Sequence, residues 1–292
     1  MTQVIAATAP GRCGIVGNPS DMYGGCVLSC TVARHAECRL CFPKEALSLR
    51  NGEEYCVISM PGDLKLRGDK LDVARATLDF LQIAPETARF SLSLQTEIPM
   101  RAGLAGSTAL IAAIVGALDA FLGLRMNLYA LAETTRRVEA TKMGIVCGLQ
   151  DQHMAVFGGL NFMDFAGKEQ LEQGGDEPLA TIEPLAARAP APPLLLAHTG
   201  VQHDSGAVHR SPRERWLAGE RAVIDAYAHL ARLAQQAKRA LVEGDLPGLG
   251  ALMNENHRVV AGLGGSGPAN DRLIEAARSS GAFGAKLAGA GG

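Results

Sequence analysis

The chain has 292 residues, 47% hydrophobic and 20% charged, with 28 basic and 30 acidic side chains and a formal net charge of −2. With no basic stripe and no acidic tail, this balance excludes a nucleic-acid binder held by phosphate contacts and a disordered solvating chain. The length suits one large or two ordinary domains.

No run of about 18 apolar residues occurs, so no membrane helix is expected, and the first residues lack the basic start and apolar stretch of a signal peptide. The seven cysteines are an odd number. The pair in "CRLC", Cys38 and Cys41, lies in a strand-like run with no second pair at zinc-finger spacing. Buried, reduced thiols and a cytoplasmic location are the expectation. Aromatic residues make up only 4%, so the core must be aliphatic, with close backbone approaches where the 34 glycines cluster.

In chain order, "CGIV", "CVLSCTV", "AECRLCF" and "YCVISM" read as separate short strands, with "NGEE" (Asn51–Glu54) as a hairpin turn. Helical spacing in "DKLDVARATLDFLQI" predicts a helix, and strict alternation in "RFSLSLQTEI" a strand. "PMRAGLAGSTALIAAIVGALDAFLG" passes from a glycine-rich turn into a helix apolar all round, hence central. A second helix is expected over about Leu128–Thr141, a strand at "LNFMDF", and an edge strand plus linker over 167–193. A new strand, "PLLLAH", opens a second unit. It is followed by a loop, one long helix over about Pro212–Glu243, the helix "LPGLGALMNENHRVVAGL", and a last helix capped by Asn270 or Asp271.

Three glycine-rich loops, 9–25, 99–109 and 281–292, carry the chemistry; none is a P-loop. In the second, "GLAGST" opens directly onto the buried helix. Free N–H groups and the helix dipole suit a phosphate there, unless the glycines serve only close packing. Asp151, in "GLQDQ", is either a paired structural acid or a general base, and Glu139 alone would read as a solvated helix face.

Taken in order, "PGRCGIVGNPSDMYGG", "PMRAGLAGSTAL" and "GAFGAKLAGAGG" resemble the three motifs of the GHMP kinases (galactokinase, homoserine kinase, mevalonate kinase, phosphomevalonate kinase). "CGLQDQHMAVFGGLNFMDF" is similar to sugar kinases, including bacterial heptose-phosphate kinases. "DSGAVHRSPRERWLAGE", "GNPSDMYGG" and "LMNENHRVV" look like segments of glucuronokinases. The resemblance implies an α+β fold in two domains. Residues 1–190 would form an S5-domain-2-like N-terminal domain and 191–292 a ferredoxin-like C-terminal domain. Family members run on beyond the third motif, so that second domain would lack its final strand.

The activity implied is ATP-dependent phosphorylation of a sugar hydroxyl, with ATP and Mg2+ as cofactors and a small-molecule sugar as partner. The protein would be a monomer or homodimer without nucleic-acid or membrane partners. The glucuronokinase segments imply the anomeric hydroxyl of glucuronic acid as acceptor. A heptose-phosphate kinase, or a non-catalytic sensor of sugar and ATP on the same fold, is the alternative.

By motif, Arg101, Ala102, Gly103, Leu104, Ala105, Gly106, Ser107 and Thr108 hold ATP, and Ser107 and Glu139 hold magnesium. Asp151 orients or deprotonates the attacking hydroxyl, while Arg12, in preference to Lys142, supplies positive charge. Asn18, Ser20, Asp21, Tyr23 and Gly24 face the sugar; Asn18-Pro19-Ser20 replaces the Glu-His-Thr of galactokinases and argues against galactose. Asp204, Ser205, Arg213 and Arg215 complete the substrate site, the arginines as a fork for a carboxylate. Lys286, Gly289, Ala290 and Gly291, in the third motif, close over the cleft.

Overall fold

A computed structural model describes residues 2–100, 102–168, 180–199 and 205–289, the last range by its backbone alone over 205–210. Among them is one mixed seven-stranded sheet. Its axis is the long antiparallel pair β1 (Gln3–Val16) and β2 (Cys26–Phe42), in register from Gln3↔Phe42 to Val16↔Leu28. Two irregularities interrupt the pair, at Pro10/Arg12 and Gly14/Val16. The C-terminal half of β2 pairs β5 (Ser91–Thr96), and its N-terminal half pairs β6 (Leu160–Asp164). The hairpin β3 (Leu47–Asn51) and β4 (Glu54–Ile58) extends the sheet beyond β5, and β7 (Thr181–Pro184) forms the edge beyond β6. The Asn-Gly hairpin holds as expected, with Gly52 at φ +62° where a side chain would be strained.

The sheet carries two apolar cores. In the first, α1 (Asp72–Phe80) and α2 (Gly106–Leu122) pack on the β2–β5–β3 region around Leu40, Leu49, Leu92, Ile111 and Ile114. Helix α2 is buried along nearly its whole length, as its composition demanded. In the second, α6 (Arg221–Glu243) and α7 (Leu246–Gly262) lie against β1, β2 and β6 through Leu28, Phe162, Leu230 and Leu249. Between α2 and β6 run α3 (Leu128–Arg137), a single π-helical turn (Val138–Lys142), and α4 (Gln150–Phe157). No described helix is long and apolar enough to cross a membrane.

Four expectations change. "CVLSCTV" and "AECRLCF" are one strand, β2: the intervening Ala33-Arg34 contains no turn former and is taken up as an irregularity opposite Gly11, the ladder resuming at His35. "PLLLAH" forms no strand: Leu195 is 95% exposed, and an extended apolar run without a partner edge makes no ladder. The long helix from Pro212 is two, α5 (Ser205–Leu217) and α6, broken where Gly219 takes φ +76°. Helix α8 (Pro268–Ser279) starts one turn earlier than predicted, with Gly267 as N-cap and Pro268 at the first helical position. Past residue 190 the described residues form helices α5–α8, and no strand of the expected second sandwich is among them.

Because Leu230 is fully buried between α6 and the sheet, Leu230→Ala is expected to lower unfolding free energy by about 2–5 kcal/mol. Denaturant titration checks this, and a loss under about 1 kcal/mol would mean that α6 is not integral to the second core.

Candidate active site

A cleft of about 1150 Å3 runs from the first glycine loop, past the N-terminus of α2, to the β3–β4 hairpin tip. The α2 terminus forms its floor. Gly103 (φ +70°) and Ala105 (φ +59°) turn the chain into the helix, and no side chain caps the first N–H groups. The uncapped helix start, with Gly103, Ala105, Gly106 and Ser107 on the cleft lining, leaves backbone N–H donors and the positive end of the helix dipole there, which suits an anion. Thr108, by contrast, is buried and donates its hydroxyl to Glu139 Oε1 at 2.6 Å, so it serves the carboxylate behind the loop.

The outer edge of β1 joins the three loops. Arg12 N donates to Leu104 O at 3.1 Å and Gly14 N to Ala288 O at 2.9 Å. A methyl group on Gly289 would fall 2.2 Å from Gly103 O, and one on Gly14 2.9 Å from Ala288 O. Glycine is needed at both places for the second and third loops to touch the first. The Arg12 side chain, 6% exposed, donates Nε and Nη2 to Asp151 at 2.7 and 2.9 Å and Nη1 to Gly103 O at 2.6 Å. Burial opposes its charge, but Asp151 outweighs that cost and holds the guanidinium above its ordinary range. The proposed base and the proposed cation thus form one forked pair, a geometry that also gives the Asp151 carboxylate a fixed orientation in the cleft.

Glu139 sits on the π-helical turn, which aims its carboxylate inward, away from the solvated face that α3 alone would offer. It is 3% exposed and receives Thr108 Oγ1 and Gln152 Nε2. Burial pushes it up to about 7, against those two hydrogen bonds. Gln152 is itself fully buried, and its Oε1 has no partner. Glu139 also lines the cleft near Ser107 and Asp151. A carboxylate and a hydroxyl are hard oxygen donors, and the carboxylate's direct partners are neutral. These residues fit a small divalent cation shared with bound phosphates.

In the first loop, Asn18 and Asp21 line the cleft. Asp21 Oδ2 accepts from Leu149 N at 2.8 Å and Gln150 N at 3.0 Å, which ties the loop to the start of α4. Ser20 faces the other way, donating to Cys26 O at 3.0 Å, and Gly24 turns the chain at φ +70°. Tyr23 stacks on Tyr227 at 3.9 Å and meets Trp216 at 5.1 Å, so it anchors the loop on α5 and α6. Arg215 forks onto Glu220 and Arg213 is half-buried near Tyr23; neither lines the cleft. Lys142 pairs with Asp79 at 2.6 Å. Arg101, Asp204, Ala290 and Gly291 lie outside the described residues, as does the side chain of Ser205.

Sequence reasoning missed two tethers. Asn256 of α7, fully buried, accepts from Gly17 N at 2.6 Å and donates to Asn18 O at 3.4 Å. Lys286 donates to Gly14 O at 3.0 Å, to Asn18 Oδ1 at 2.8 Å and to Leu287 O. Burial, aided by Arg12, pulls Lys286 down to about 7 against the influence of Cys13. The only hint in the sequence was a buried-type asparagine midway along an otherwise amphipathic helix.

The model for "GHMP kinases N terminal domain" matches residues 72–159, and that for "GHMP kinases C terminal" matches 237–292. The chain is 31% identical over 300 residues to glucuronokinase 1 of Arabidopsis thaliana, covering 96% of this chain and 81% of the relative. It is 24% identical to a D-glycero-alpha-D-manno-heptose 7-phosphate kinase of Campylobacter jejuni, with 99% and 87% covered. Among solved structures, Lactococcus lactis galactokinase complexed with galactose superposes with a TM-score of 0.73 at 20% identity, with 99% and 83% covered.

Glu139 generates a stability prediction. Its folded value of about 7 exceeds the ordinary 4.5. Stability is therefore greatest below 4.5, falls as pH rises from 4.5 to 7, and carries the full penalty above 7. Glu139→Gln loses the charge; its amide oxygen still accepts from Gln152 Nε2, and its NH2 donates to the Thr108 hydroxyl, which turns from donor to acceptor. Its Tm should exceed that of the wild type at pH 8, the gap reflecting about 3 kcal/mol, and the two should converge near pH 4.5. Parallel melting curves at all pH values would show that Glu139 is not the buried charge the geometry makes it.

Proposed function

The chain belongs to the GHMP kinases and is an ATP-dependent phosphotransferase of the sugar-kinase type; within that family we propose that it phosphorylates the anomeric hydroxyl of glucuronic acid. One observation carries the reading. The Arg12 guanidinium bonds both the Asp151 carboxylate and Gly103 O, so one buried side chain holds a carboxylate and the glycine loop before α2 in the same cleft.

The steps assigned to this chain's residues are few, because phosphoryl transfer asks chiefly for positioning and charge stabilisation. Gly103, Gly106 and Ser107 hold the ATP phosphates against the α2 dipole. Ser107 and Glu139 would hold Mg2+, which when bound offsets phosphate charge. Asp151, its orientation fixed by Arg12, accepts a hydrogen bond from the sugar hydroxyl and takes its proton as that oxygen bonds the γ-phosphorus of ATP and the bond from the γ-phosphorus to the bridging oxygen breaks, ADP leaving. Arg12 also bonds Gly103 O, and so couples the position of the hydroxyl to that of the phosphate loop. The N-terminal part to residue 190 supplies these groups, and the C-terminal part from 191 the third loop.

Glucuronate is favoured over the heptose-phosphate alternative by similarity, since identity is 31% to the glucuronokinase and 24% to the heptose-phosphate kinase. The Arabidopsis relative is named for glucuronate.

Two measurements test this. A coupled ADP-release assay across uronic acids, neutral hexoses and heptose phosphates should give its highest kcat/KM on glucuronate; a preference for the heptose phosphate would transfer the assignment, and ATP binding without turnover on any sugar would mean a sensor. Asp151→Asn should lower kcat by roughly 10²- to 10⁴-fold while ATP affinity stays within a few-fold. Activity near that of the wild type would remove Asp151 from the reaction.

A further inference from the structure

Asn18 leaves half of a buried amide uncommitted. The residue lines the cleft and is 4% exposed. Its side-chain oxygen receives Lys286 Nζ at 2.8 Å, and its Nδ2 has no partner among the described residues. The sense of this amide follows from chemistry. A protonated lysine has three donors and no acceptor, and Lys286 Nζ is ringed by three oxygens: Gly14 O, Asn18 Oδ1 and Leu287 O. Gly14 O and Leu287 O can only accept, and in the ammonium form, which prevails below about 7, the third donor goes to the amide oxygen, so the NH2 is the group left for the cleft. Gly14 completes the arrangement, because a methyl group there would sit 2.6 Å from Asn18 Oδ1 and push the amide off β1.

A group that can only donate selects a partner that accepts. An ionised carboxylate is acceptor-only and strengthens such a bond by its charge. The arginines expected to meet a carboxylate, Arg213 and Arg215, do not line the cleft. We propose that Asn18, with its amide sense fixed by Lys286, is the residue that reads the acceptor's carboxylate, and that Lys286 acts as its positioning residue. The inference rests on the uronic-acid reading above. It adds the selecting atom, Nδ2 of Asn18, and explains why that selection depends on a lysine of the third loop.

The test is the ratio of kcat/KM for glucuronate to kcat/KM for glucose, which bears a hydroxymethyl group in place of the carboxylate. Asn18→Asp keeps an oxygen for Lys286 but presents a carboxylate to a carboxylate. The ratio should fall by roughly 10²-fold or more, with the change mainly in KM for glucuronate. Lys286→Met releases the amide to turn, and the ratio should fall by about tenfold. Melting temperature and ATP affinity report separately on folding and on the nucleotide site, and should Asn18→Asp fold poorly, the Lys286→Met ratio decides. Equal losses on both sugars in the folded variants would make the pair a structural tether and overturn the proposal. A wild-type enzyme that uses glucose and ignores glucuronate would overturn the uronic-acid reading, and this inference with it. Wild-type preference for glucuronate that survives both substitutions would overturn the inference alone.

Discussion

The outer edge of β1 at Arg12–Gly14 is the constraint on which the rest of the site depends. Its inner edge is spent on β2, and a strand edge left bare would be both a desolvation cost and a template for wrong pairing. Here the free amides go to Leu104 O of the second loop and Ala288 O of the third. Each bond is worth about 1 kcal/mol net. Their value lies in geometry, because one rigid strand sets the mutual position of three loops far apart in sequence. The glycines are the consequence: Gly14 and Gly289 stand where backbone meets backbone too closely for a methyl group.

Charge follows the same logic. The site buries Arg12, Asp21 and Glu139 and half-buries Lys286, each of which would be expensive if left without partners. Arg12 is paired by Asp151, and Asp21 by the first amides of α4. Glu139 and Lys286 have neutral partners only, and burial moves both to about 7 from opposite directions. Those two stand at opposite sides of the reaction as assigned here, one toward the nucleotide's metal and one behind the sugar loop.

Helices α6 and α7 do more than cover the sheet. Through Asn256 and Lys286 the C-terminal part holds Gly17 and Asn18, and through Tyr227 and Trp216 it holds Tyr23. The first loop therefore belongs to the N-terminal part in sequence but takes its shape from the C-terminal part.

Much of this was legible in the chain. The apolar run 109–118 could only be a central helix, and the Asn51-Gly52 pair could only turn a hairpin. These are local properties, set by side-chain volume, periodicity and allowed φ, so the sequence alone determined them. The partners of the charged and amide side chains were a different matter. Arg12 and Asp151 are 139 residues apart, and Asn18 and Lys286 are 268 apart. Nothing in either neighbourhood says which of the chain's cations meets which acid, because that is fixed by the crossing of strands and helices. Arg215 read as a substrate fork but met Glu220 five residues away, while Glu139 read as a surface acid until a π-turn rotated it into the cleft. The sequence determined which groups the protein owns and where the backbone bends. Only the tertiary structure decided which of them are desolvated together, and desolvation is what turns a carboxylate, an amide or an ammonium into a site.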